Sequence, residues 1–188
     1  MTDRQGGQFK PFFRHLKRYF RAYGGWSGIF GSPLFLGAVL IAALNYRQWL
    51  VSGWTDKVYA LLPNLLGFSL GTYAIIFSLL TNRIKLAMRI LKNNNSVSYL
   101  EQVNSTFFHF IFVQVITLIW SIIFDGSILR DIAIIFKGKV PIVWSAFLFS
   151  AKIGSFVGYL LMIYSIFLVI GAALAIYRLA LIVDPAES

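Results

Sequence analysis

Cysteine is absent from this chain. Its absence removes disulfides, thiol nucleophiles and cysteine metal sites at once. Charge is scarce too: Asp, Glu, Lys and Arg make up 13% of the residues, against roughly 25% in an average soluble domain. Acid is the scarcer sign, with 7 Asp and Glu against 17 Lys and Arg. The 2 histidines, His15 and His109, have no carboxylate or cysteine at metal-ligand spacing. No Ser-His-acid set, phosphate-binding glycine loop or HExxH motif occurs. These gaps exclude the familiar routes to catalysis and predict a protein that is not an enzyme and uses no cofactor or metal.

What is abundant is apolar. Hydrophobic residues form 58% of the 188, more than a fold of this length can hide from water. Four apolar runs cover 33–51, 58–80, 106–124 and 155–176; Arg47, near the end of the first, is their one Lys, Arg, Asp or Glu. Each approaches the roughly 20 residues of helix that cross a bilayer. Lipid leaves backbone groups no outside partner, so spans are helices or closed barrels. These runs lack the alternation of barrel strands, which predicts helices. The expected fold is all-α: an integral membrane protein with four transmembrane helices and an N-terminal amphipathic interfacial helix. Residues 1–32 form the basic segment and 33–188 the membrane domain. No basic start followed by an apolar core and a cleavage site precedes the first run, so that run is expected to serve as an uncleaved anchor.

Orientation follows from Lys and Arg beside the spans. Arg4, Lys10, Arg14, Lys17, Arg18 and Arg21 precede the first; Arg83, Lys85, Arg89 and Lys92 follow the second; Arg178 follows the fourth. Arg47 and Lys57 lie in the first connection, and Arg130, Lys137, Lys139 and Lys152 in the third. Placing both termini in the cytoplasm of a bacterial inner membrane puts 11 positive residues inside and 6 outside. Residues 141–155 are apolar but interrupted by Lys152. They either lengthen the fourth helix or lie at the outer surface. In the second connection the apolar positions 84, 86, 87, 90 and 91 recur at helical spacing, which predicts that the second helix runs on until Asn93, Asn94 and Asn95 break it.

In the N-terminal segment Phe12, Phe13, Leu16, Tyr19, Phe20 and Tyr23 recur at steps of three and four, and Gly24 and Gly25 end the pattern. A basic helix with such a face suits the headgroup boundary. Arg14, Lys17, Arg18 and Arg21 are the candidate contacts to anionic inner-leaflet lipid, each worth about 1 kcal/mol near such a surface. The plainer reading is a topology anchor; the sharper ones are lipid sensing and partner docking. Direct nucleic-acid binding is not expected so close to a bilayer. Arg83, Lys85, Arg89 and Lys92 are the candidate docking residues for a cytosolic protein.

Within lipid, helices associate through close packing rather than hydrophobic drive. Gly67, Gly71, Ala74 and Ser78 form one small-residue ridge on the second span. Gly154, Gly158, Ser165 and Ala172 form another on the fourth. Both are candidate helix-packing sites, and a homo-oligomer is expected. On the third span Gln114, Thr117, Ser121 and Asp125 share a stripe. It reads either as the lining of a pore or as interhelical hydrogen bonding; Asn45 in the first span fits the second of these. His109, within FFHF at a span edge, reads as an aromatic-belt residue.

The run LLPNLLGFSLGTYAIIFSLL (61–80), after a basic aromatic segment ending GGWSGIFGSP (24–33), resembles small four-span proteins of bacterial accessory genomes. The architecture is similar to the membrane subunit of the Kiwa antiphage system. That resemblance implies sensing at the inner membrane and a cytosolic DNA-binding partner, and it carries no individual residue with it. The expected function is an oligomeric sensor or anchor for a cytosolic partner. The alternative is an ion channel or membrane-permeabilising effector, built on the Gln114 stripe.

Overall fold

A computed structural model describes residues 6–51, 53–93, 96–126, 128–137 and 141–181. Arg4, Asn94, Asn95 and Lys139 lie outside these. Among the described residues the chain is helical, with no strand longer than the single bridge between Lys92 and Ser98. The helices are α1 (Gly6–Tyr23), α2 (Gly25–Phe30), α3 (Pro33–Leu44), α4 (Tyr46–Leu50), α5 (Trp54–Leu79), α6 (Asn82–Ile90), α7 (Tyr99–Asp125), α8 (Ile128–Lys137) and α9 (Pro141–Ala180). Three of them, within α5, α7 and α9, are long and apolar enough to cross a membrane. At 1.5 Å per residue they measure about 39, 40 and 60 Å, beyond the ~30 Å of a hydrocarbon core.

The core is built at two levels. At one end α3, α5, α6, α7 and α9 meet around Ala38, Leu80, Met88, Phe107, Phe110, Tyr164 and Leu168. At the other, Ala42, Trp54, Val58, Leu62, Tyr159 and Met162 pack together with Trp120 and Phe124 beside them. α3 and α7 start at the first level and reach the second, whereas α5 and α9 run the opposite way. α7 is central, touching α1, α5, α6 and α9.

Two sequence expectations change, and one open reading closes. The continuous helix over 33–51 is two helices. Asn45 directs both its backbone N–H (3.0 Å) and its Nδ2 (2.9 Å) to the carbonyl of Ile41, closing α3 after 12 residues. α4 then folds against α9, where Ser155 Oγ donates to the carbonyl of Trp49 at 2.5 Å. The second long helix does not run on towards the asparagines. It stops at Leu79, because Thr81 leaves helical geometry (ψ 159) and its hydroxyl caps Ile84 N–H, starting α6 anew. Residues 141–155, where two readings stood open, belong to the single 40-residue helix α9. Their neighbour is α8, and Lys137 of α8 lies over the Trp144 ring at 4.7 Å.

Candidate functional site

The chain concentrates its polar contacts where α1 meets the long helices. Gly24 adopts φ +105°, which ends α1 and turns the chain into α2. α1 can therefore lie along α7 with one face inward. Tyr19, half-buried, places its hydroxyl 2.5 Å from His109 Nδ1. On the far side of the ring, His109 Nε2 meets the Tyr164 hydroxyl of α9 at 2.9 Å. Tyr23 stacks on the imidazole with ring centres 3.9 Å apart. A neutral imidazole offers one N–H and one acceptor, which two hydroxyls can match, so this ring satisfies both of its nitrogens. Burial pushes the Tyr19 and Tyr23 phenols above their ordinary value, so both carry their proton at neutral pH. Phe108 closes the contact, edge-on to Tyr19 at 4.7 Å. His109 is thus no aromatic-belt residue at an edge: it is 2% exposed and joins three helices. Its partners lie 90 and 55 residues away in sequence, a distance at which no local periodicity can connect them.

Beside this latch, α1, the α6–α7 turn and the first turns of α7 line an open cavity of 810 Å³. One wall is aromatic (Phe12, Tyr19, Phe108); the rest holds His15, Arg18, Arg89, Lys92, Ser96, Ser98, Glu101 and Asn104. The turn that builds its floor is tight. Asn93 N–H donates to the carbonyl of Val97, Asn93 Oδ1 accepts from Val97 N–H, and Ser96 takes φ 58°. Ser98 caps α7 by accepting from Glu101 N–H. Arg18 Nε donates to Glu101 Oε1 at 2.7 Å. Arg18 is exposed and Glu101 half-buried, so solvent still screens the attraction; the pair raises the Arg18 guanidinium further above an already high value.

The expected lipid and docking residues divide across this cavity. Arg18, Arg89 and Lys92 line it; Arg14, Lys17, Arg21, Arg83 and Lys85 do not. Arg14, Lys17 and Arg21 are exposed on α1, Arg83 is exposed on α6, and Lys85 is half-buried there.

The two small-residue ridges also separate. On α9, a Cβ at Gly158 would stand 2.1 Å from the Trp54 ring and 2.8 Å from Trp120, and one at Gly154 would touch Phe124 at 3.4 Å. Ser165 and Ala172 are buried in the same direction. This ridge is filled by the chain's own side chains. On α5, a Cβ at Gly67 or Gly71 would meet nothing within 4 Å, and Ala74 and Ser78 are exposed beside them. The α5 ridge is vacant in a single chain.

The polar stripe of α7 faces inward. Gln114, Thr117 and Ser121 have no exposed surface. Ser69 Oγ of α5 donates to Gln114 Oε1 at 3.2 Å, and Thr117 shares a hydrogen bond of 3.2 Å with Ser165 of α9. Gln114 Nε2 is buried without a partner. Asp125 stands apart at the exposed end of α7, on a second cavity of 630 Å³ between α7 and α9. Among the described residues no cluster of three or more His, Asp and Glu could hold a metal.

The chain matches no protein-family model, no curated protein and no solved structure. The site therefore rests on its own geometry.

Proposed function

We propose that the protein is a multi-pass protein of a bacterial inner membrane that reports on the membrane surface and anchors a cytosolic partner. The observation that carries this reading is the α1 latch. A helix with Arg14, Lys17 and Arg21 exposed is tied through Tyr19 and Tyr23 to His109, and through His109 to Tyr164 of α9. A change in how lipid holds α1 thus reaches side chains buried between the long helices. In this reading α3 and α4 together make the fourth crossing, since the 12 residues of α3 measure only about 18 Å. Both termini, α1, α6 and the α6–α7 turn then lie on the cytoplasmic side. The vacant ridge of α5 supplies the contact for a homo-oligomer. The resemblance to the membrane subunit of the Kiwa system gives the setting, antiphage defence with a cytosolic DNA-binding partner, and leaves nucleic acid to that partner.

The test is purification in gentle detergent from a native host, with native mass spectrometry of the complex. A defined homo-oligomer carrying a stoichiometric soluble protein is the expected result. An oligomer with lipid alone, conducting ions once placed in liposomes, would overturn it in favour of a channel.

A further inference from the structure

We propose that the cavity between α1 and the α6–α7 turn is a binding site for a phosphate group, held by Arg18, Arg89 and Lys92. The three cations come from α1, α6 and the turn, so the fold gathers them from separate elements. One carboxylate, Glu101, shares the cavity, and its ion pair is made to Arg18 through Nε alone. No carboxylate among the described residues lies within ion-pair distance of Arg89 or Lys92. Cations lining one cavity repel unless an anion sits among them, and the guanidinium fork matches phosphate oxygens. Ser96 and Asn104 add neutral donors to the lining. The volume of 810 Å³ lies within the range of small-molecule pockets, about 300–1,000 Å³, which accommodates a phosphate together with what it is attached to. The aromatic wall gives that remainder an apolar surface.

The phosphate has two sources: the headgroup of an anionic lipid, or a soluble phosphorylated compound. The lipid source rests on the membrane placement of α1 proposed above; the soluble source does not.

The experiment uses the full-length protein. Retention of phosphatidylglycerol and cardiolipin is read by native mass spectrometry after delipidation. Binding of pyrophosphate is read by calorimetry with the protein in phosphatidylcholine nanodiscs. The double variant R89E/K92E is compared with R47E/K152E, which makes the same change of charge on exposed residues outside the cavity and outside the lipid-facing set of α1. The expected result is a loss on the order of tenfold or more for R89E/K92E and less than about threefold for R47E/K152E, the range of a screened surface charge. Should R89E/K92E not fold, K92Q replaces it, since the turn is held by backbone contacts, and a loss of about threefold to tenfold is expected. Loss confined to lipid retention assigns the headgroup; loss confined to pyrophosphate assigns a soluble ligand. No retention of either probe, or equal loss in both double variants, overturns the site. Fractionation of the same cells scores membrane placement separately. Protein that leaves the membrane fraction yet binds pyrophosphate refutes the membrane reading and keeps the phosphate site. Membrane-bound protein that binds neither probe does the reverse.

Discussion

Removing the Tyr19 hydroxyl takes away one hydrogen bond and leaves a buried nitrogen of His109 without its partner. Tyr19→Phe is therefore expected to cost about 1 kcal/mol, seen as a lower melting temperature in detergent and faster proteolysis within α1. The latch also has a pH signature. Burial raises the Tyr19 and Tyr23 phenols above 10.0 in the folded state. Their contribution is present below that pH and is lost as pH rises through the raised value, because the unfolded phenols give up protons first. Gly158 is the opposite kind of position. Gly158→Ala drives a methyl into Trp54 and Trp120, and overpacking of this sort costs about 1–3 kcal/mol; thermal unfolding reads it directly. Gln114→Leu removes the buried Nε2 that has no partner, while Ser69 Oγ keeps its bond to the carbonyl of Leu65. The expected melting temperature is unchanged or higher. A leucine that changed liposome conductance would instead place Gln114 on an ion path.

At the scale of the element, apolar runs located the long helices well and their ends poorly. Residues 58–79 lie within α5 with Leu80 just beyond it, 106–124 falls inside α7, and 155–176 falls inside α9. Hydropathy registers length in lipid, but it does not register a side chain that turns back on its own helix. Asn45 and Thr81 break the helices through local hydrogen bonds, which hydropathy does not register. The small-residue ridges were legible as ridges. Which of them is filled depends on Trp54 and Trp120, residues far away in sequence. The vacant ridge of α5 carries its own prediction. Gly67→Leu with Gly71→Leu adds side chains where nothing lies within 4 Å in the single chain. The variant should fold normally while its subunit number falls in native mass spectrometry. An unchanged assembly would move the interface elsewhere.

For the whole molecule, the lack of cysteine makes orientation simple to measure. A single Ser96→Cys on the α6–α7 turn should react with a membrane-impermeant maleimide only after lysis. Lys57→Cys and Lys137→Cys, at the other core level, should react in intact cells. The reversed pattern would invert the proposed topology. The 12 residues of α3 make about 18 Å of helix, and its main packing partner is α9. Gly37 meets Phe167, Gly171 meets Leu34, and Phe35 packs edge-on to Tyr164 at 5.3 Å. The consequence is one of timing during synthesis. When α3 leaves the ribosome, the surface that will hold it has not yet been made, and more than a hundred residues separate the two. At a few to twenty residues per second, α3 waits on the order of ten seconds as a short apolar helix with only α2 beside it, the interval in which a membrane chaperone or a second nascent copy would find it.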